Sequence, residues 1–303
     1  MISAEAEAVH AALRARRDAP PPTAPPTLEQ ARAGSDHVGD VTTEPEGVQY
    51  EVADASGVPA QWVLPAGADA GAVLLYFHAG GYAYCSAASH RKLIGHIARA
   101  AGSRALNVDY RLAPENPFPA AVEDATAALD HLLAQGVAAE RIAVVGDSAG
   151  GGLALSLLVR ARDQGIRLGG AALMSPWVDL ALTGENTARQ AETDLIATPA
   201  GNAACAAMYL AGHDPRDPAA SPLYADLTGL PPVYVQVGDV ELFHDDAVRL
   251  AERSGARLDV FPGMQHDFQV YAGAVPEADD AIARLGAFLA ETLRTGTAAA
   301  APR

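Results

Sequence analysis

Hydrophobic and polar positions along this chain follow two periods that succeed one another. Val48, Tyr50 and Val52 are separated by polar residues, and residues 60–64 alternate in the same way, which predicts two half-buried antiparallel strands. A continuous apolar run follows at residues 71–78, containing Val73-Leu74-Leu75-Tyr76-Phe77; such a run reads as a strand covered on both faces. Further strands are predicted at residues 104–108, 142–145, 170–174, 233–237 and 257–261. Between them the period lengthens to that of helices, near residues 89–100, 119–134, 149–163 and 241–253. A last helix beginning at Pro276 puts Ile282, Leu285, Leu289 and Leu293 on one stripe. Strand–helix alternation of this kind predicts an α/β fold, a mostly parallel sheet with helices on both faces.

Two segments break the rhythm. Residues 3–16 predict an alanine-rich helix that the run Pro20-Pro21-Pro22 ends, and a short helix follows over residues 27–33. This piece has too little apolar surface to fold alone. Residues 180–222 are polar and irregular, with a helix at 201–210; a long insertion inside a compact domain is more often functional, as lids are. The expected organisation is therefore an N-terminal helical segment 1–40, a core in two parts (41–179 and 223–295), an insertion at 180–222, and a disordered tail at 296–303.

The most informative stretch is Arg141-Ile142-Ala143-Val144-Val145-Gly146-Asp147-Ser148-Ala149-Gly150-Gly151-Gly152. A buried strand runs into a sharp turn carrying a serine, and a glycine-opened helix follows. Gly146-x-Ser148-x-Gly150 has the spacing of a nucleophile elbow, where small neighbours let the chain reverse tightly. A neutral serine needs a base, a group that orients the base, and donors for the developing oxyanion. His266, on the loop between the last strand and the last helix, meets the first need, because the chain order serine, acid, histidine is the one such hydrolases use. The acid should follow the strand ending at Val237, and there Asp239 and Glu241 remain equally open: Asp239 could cap the turn, and Glu241 has the longer reach. The loop His78-Ala79-Gly80-Gly81-Tyr82 follows the buried strand, and its paired glycines let bare N–H groups approach a ligand.

Composition narrows the partners. The chain has 303 residues, half of them hydrophobic, and a net charge of −16, with Lys92 its only lysine. That balance argues against nucleic acid or an anionic membrane as a partner. Neither a signal pattern nor a membrane-length apolar run is present in the sequence, so a cytoplasmic protein is the expectation. The two cysteines, Cys85 and Cys205, do not make a secreted disulfide framework. No metal-binding or nucleotide-binding spacing occurs, so no metal or cofactor is expected.

Taken together the motifs resemble the hormone-sensitive-lipase-like branch of the α/β-hydrolases, the bacterial family IV esterases, over about residues 70–270. They are Phe77-His78-Ala79-Gly80-Gly81-Tyr82, Tyr110-Arg111-Leu112-Ala113-Pro114-Glu115, Phe118-Pro119-Ala120-Ala121 with Asp124, Gly146-Asp147-Ser148-Ala149-Gly150-Gly151, Ser175-Pro176-Trp177, Ser221-Pro222-Leu223 and Met264-x-His266. The resemblance implies an α/β-hydrolase fold with a small helical cap formed by residues 1–40 and 180–222. It also implies serine carboxylesterase activity on short-chain esters through an acyl-enzyme, with Ser148 as nucleophile and His266 as base. Glu241-Leu242-Phe243-His244-Asp245-Asp246 resembles a subgroup with glutamate as acid, which favours Glu241 and leaves Asp239 as the alternative. The implied oxyanion donors are the N–H groups of Gly80, Gly81 and Ala149. Tyr82, Tyr84, Trp177, Tyr209 and Leu210 are the expected pocket walls, and Arg111, Glu115 and Asp124 an expected supporting cluster. The implied partner is a small ester, and a homodimer through the last strand and helix fits the same resemblance.

Ala79 stands where the family usually has glycine, and would be strained by about 1 kcal/mol if that position needs a positive φ. Activity is expected to fall below roughly pH 6–7, where a histidine protonates. The same site could instead serve a lactonase, a deacetylase or an acyltransferase. A non-catalytic ligand-binding protein on this fold would typically lack the histidine, which here is in place.

Overall fold

The computed structural model describes residues 2–20, 24–185 and 187–298. Its centre is an eight-stranded sheet of order β1-β2-β4-β3-β5-β6-β7-β8. The strands are β1 Val48–Asp54, β2 Pro59–Pro65, β3 Asp69–Phe77, β4 Ser103–Val108, β5 Ile142–Asp147, β6 Gly170–Met174, β7 Val233–Gly238 and β8 Arg257–Phe261. β2 pairs antiparallel with β1 and β4, and every other neighbouring pair is parallel. The expected fold class holds.

The continuous apolar run of β3 shows why both faces must be covered. Val73, Leu75 and Phe77 point into one core layer, where Leu129 and Leu132 of α4 (Ala120–Ala134), Leu153 and Leu157 of α5 (Ala149–Asp163) and Leu250 of α8 (His244–Ser254) meet them. Leu74 and Tyr76 alternate into the opposite layer against Leu93, Ile94 and Ile97 of α3 (Ala87–Ala101) and the Ile282, Leu285, Leu289, Leu293 stripe of α9 (Pro276–Ala298). Truncating one such buried leucine to alanine costs roughly 2–5 kcal/mol, so these layers hold the strand ends in place. All the parallel strands point the same way. The loops after β3, β5, β6, β7 and β8 therefore gather at one edge, as open α/β sheets require of a site.

The irregular segments supply α1 (Ala4–Arg17) and α2 (Leu28–Ser35) at the N-terminus, and α6 (Thr187–Thr193) and α7 (Pro199–Leu210) between β6 and β7. Three details differ from the sequence reading. The eighth helix starts at His244 rather than Glu241, because the Glu241 carboxylate turns back to the β7 end instead of opening a helix. The last helix runs to Ala298, past the expected tail boundary at 296, because no proline interrupts it there; residues 299–303 lie outside the described residues, as do residues 21–23 of the proline run. Glu115 does not join Arg111. Arg111 pairs with Asp124 and Glu123, while Glu115 takes a two-pronged contact from Arg32 of α2, at 2.9 and 2.7 Å, that ties the N-terminal helices to the core.

Candidate active site

The turn after β5 is built as the spacing demands. Ser148 has φ 50° and ψ −119°, a strained conformation for a residue with a side chain. A Cβ at Gly146 would lie 2.2 Å from the Gly150 carbonyl oxygen, and one at Gly150 would lie 2.0 Å from that of Phe77. Only glycines permit that reversal, and they press the start of α5 against the loop following β3. Ala149 is the first residue of α5, so its N–H has no partner one turn earlier and joins the positive end of the helix dipole.

The loop after β3 carries its left-handed residues at Gly80 (φ 110°), Gly81 (φ 60°) and Tyr82 (φ 62°). Ala79 is not among the positive-φ residues, so the feared alanine strain does not arise: the chain bends one position later. Substitution at Gly81 would bring a Cβ to 2.8 Å from Cys205 Sγ of α7. His78 is fully buried beneath this loop, its Nδ1 2.7 Å from the Ala79 carbonyl oxygen and its ring stacked on Tyr110 at 4.3 Å. Burial and the nearby His90 push its pKa down to about 4, so it stays neutral.

Three residues far apart in the chain converge at the sheet edge. Ser148 Oγ lies 3.0 Å from His266 Nε2, and His266 Nδ1 lies 3.3 Å from Glu241 Oε1. Glu241 is fully buried, and its other oxygen accepts hydrogen bonds from Ser175 Oγ (2.8 Å) and the Gly238 N–H (3.0 Å). Asp239, the alternative acid, is exposed and instead accepts the N–H of Gly263, tying the loop after β7 to the loop after β8. The Phe243 ring packs against the imidazole with centroids 4.8 Å apart.

Two contributors were not legible as site residues. Ser175, within the Ser-Pro-Trp motif after β6, is the hydroxyl that holds Glu241, and the motif itself was the available signal. Asp267 is the other: its backbone is left-handed (φ 51°), which swings its carboxylate to 3.1 Å from His266 Nε2. Deeper still, Asp147 accepts from Tyr76 at 2.7 Å and pairs with His90 at 3.2 Å, a buried group one residue before Ser148. Burial alone would lower the His266 pKa, but the carboxylates of Asp267 and Glu241 outweigh it and raise it well above the ordinary histidine value. Burial, with Asp147 and Glu241 nearby, raises Asp267 to about 7 against the opposing pull of His266.

These groups open on a cavity of about 530 Å³. Ser148, His266, Gly80 and Gly81 line it together with Leu13 and Arg16 of α1, Ile196 and Ala197 before α7, and Cys205. Tyr84 and Trp177 are among its walls. Tyr82, Tyr209 and Leu210 are not: Tyr82 and Tyr209 stack on each other at 3.8 Å and are buried in the core layer with Leu210. Cys85 and Cys205 are both free thiols.

Among the described residues no helix is long and apolar enough to cross a membrane, and no cluster of three metal-ligating side chains occurs. Residues 74–270 match the family described as the alpha/beta hydrolase fold. The chain is similar to an acetyl-hydrolase of Streptomyces hygroscopicus, 42% identical over 84% of this chain and 91% of the relative. It is also similar to an esterase of Acinetobacter venetianus, 34% identical over 74% of this chain and 77% of the relative. A crystal structure of an esterase from the bacterial hormone-sensitive lipase family superposes with a TM-score of 0.91 at 42% identity, covering 97% of this chain and 99% of that one. An elbow serine, a buried imidazole and a glutamate on this sheet are the equipment of a serine hydrolase. The chain belongs to the α/β-hydrolase fold family, in its hormone-sensitive-lipase-like branch.

Proposed function

We propose that this protein hydrolyses short-chain carboxylic esters through an acyl-enzyme on Ser148, with His266 as base and Glu241 as its orienting acid. That it is a carboxylic ester hydrolase follows from its family and relatives. The observation that carries the residue assignment is the relay Ser148 Oγ–His266 Nε2 at 3.0 Å and His266 Nδ1–Glu241 Oε1 at 3.3 Å, opening on one cavity.

The chemistry follows from the geometry. With Nδ1–H donated to Glu241, the Nε2 lone pair accepts the Ser148 hydroxyl proton as Oγ attacks the ester carbonyl. The N–H groups of Gly80, Gly81 and Ala149 hold the oxyanion; removing one such donor typically costs about 3 kcal/mol of the barrier. The proton on Nε2 passes to the departing alkoxide, and the alcohol leaves. Water then gives a proton to Nε2 and attacks the acyl carbon; collapse of the resulting tetrahedral adduct breaks the bond to Ser148 Oγ, which takes the proton back from Nε2 as the acid is freed.

The acetyl-hydrolase relative supports a short acyl group. Residues 1–40 and 180–222 act as the cap, a reading supported by Leu13, Arg16, Ile196 and Cys205 lining the same cavity as Ser148. The two free thiols support a cytoplasmic location. The edge position of β8, where Val260 is 40% exposed, supports a homodimer through that strand. Ser148→Ala tests the assignment: turnover of 4-nitrophenyl acetate and butyrate should fall to background, and retained turnover would refute it.

A further inference from the structure

His266 Nε2 has two oxygens within hydrogen-bond distance, and the relay uses only one. Ser148 Oγ is at 3.0 Å and Asp267 Oδ2 at 3.1 Å. When Nδ1–H is committed to Glu241, the neutral ring offers Nε2 as a lone pair only. A carboxylate oxygen 3.1 Å from that nitrogen is repelled by the lone pair unless the two groups share a proton. The proton then belongs to the pair, held either as carboxylic acid against Nε2 or as imidazolium against carboxylate. In both forms the Nε2 lone pair is occupied and cannot take the proton of Ser148.

We propose that Asp267 is a positioning residue that shares the Nε2 face of His266 with Ser148, so that the base becomes available only after one proton held between Asp267 and His266 has left for solvent. The proposal rests on Ser148 and His266 acting as nucleophile and base. The geometry around Asp267 supports it. Its side chain is buried, it lines the same cavity as Ser148, and its Oδ1 has no hydrogen-bond partner. Its backbone N–H is fixed by Ser175 Oγ at 3.2 Å, the hydroxyl that also anchors Glu241, so the two carboxylates are set on either side of the ring by one serine.

Every neighbouring element contributes a group that bears on that proton. Glu241, before α8, faces Nδ1 and favours the cationic ring. Asp147, at the end of β5, opposes ionisation of Asp267 and is itself held by His90 of α3 and Tyr76 of β3. The Cys85 thiol, in the loop after β3, is neutral, pushed up to about 12 chiefly by burial. His78 beneath that loop is neutral, and Arg16 of α1 lines the cavity. The carboxylates outnumber the cations here, so the shared proton is retained to a higher pH than on a solvated histidine.

Asp267→Asn and Asp267→Gly test this, because both residue types accept the left-handed backbone at this position. The readouts are the pH dependence of kcat/KM for 4-nitrophenyl butyrate and of the rate at which a fluorophosphonate labels Ser148, with folding checked by circular dichroism. Both variants should move the acid limb down by about one pH unit or more, the usual effect of removing an opposite charge at this distance. On that limb a one-unit shift is about a tenfold gain in kcat/KM over the wild type at the same pH. Limbs that coincide with the wild type, or folded variants inactive at every pH, overturn the proposal and leave the Ser148 assignment standing. Wild-type protein that hydrolyses the ester without being labelled at Ser148 overturns that assignment, and this inference with it.

Discussion

Ser175→Ala removes one hydroxyl that makes two buried contacts. It donates to Glu241 Oε2 at 2.8 Å and accepts the Asp267 N–H at 3.2 Å. After truncation Glu241 keeps only the Gly238 N–H on that oxygen, at 3.0 Å, while remaining fully buried. A hydrogen bond to a charged group contributes about 1.5–3 kcal/mol, and a stranded buried N–H costs about 1–3 kcal/mol more. The expected loss of stability is therefore about 2.5–6 kcal/mol, read as a lower urea midpoint at unchanged slope. The loosened glutamate should orient the imidazole less well, lowering kcat by roughly ten- to hundredfold, since about 1.4 kcal/mol is a factor of ten. Ser175 also sits at φ 43°, so Ser175→Gly deletes the same hydroxyl while relieving backbone strain. The glycine variant should recover about 1 kcal/mol of stability over the alanine variant without recovering activity. An alanine variant within twofold of wild-type kcat and equal in stability would refute the reasoning.

Two further outcomes follow from other parts of the site. Gly81→Ala puts a Cβ 2.8 Å from Cys205 Sγ on a left-handed backbone, so the loop must move; kcat should drop by about a hundredfold with little change in KM, as loss of one oxyanion donor does, and unchanged kcat would contradict that role. Asp246 is raised to about 8 by burial and by the neighbouring Asp179, so the folded state holds a proton that the unfolded chain has released above pH ~4. The contribution of Asp246 to stability then declines as pH rises toward 8, at up to about 1.4 kcal/mol per unit. Asp246→Asn cannot ionise and should flatten that decline between pH 5 and 8.5; parallel stability curves for variant and wild type would count against it.

What could be read along the chain, and what could not, divides on physical lines. The β3 run and the α9 stripe announced themselves because burial on two faces and on one stripe leaves different periods in the residues. The reversal at Gly146-x-Ser148-x-Gly150 was legible because close backbone approach excludes every side chain. The contact of Asp267 with Nε2 is hidden in the sequence, because nothing local reveals that a left-handed residue turns its carboxylate to that nitrogen. Arg32 and Glu115 lie 83 positions apart, and the stacking of Tyr82 on Tyr209 joins the loop after β3 to α7, so neither could be read from spacing. The acid was narrowed by motif, but its anchoring depends on Ser175 from another strand, a partnership that exists only once β6 and β7 lie side by side.

The most direct test is to treat the protein with a fluorophosphonate and map the modified residue by peptide mass spectrometry. The account predicts one covalent adduct, on Ser148, formed in step with loss of ester hydrolysis and strongly slowed in His266→Ala. An adduct elsewhere, or complete inactivation with Ser148 unmodified, would contradict it.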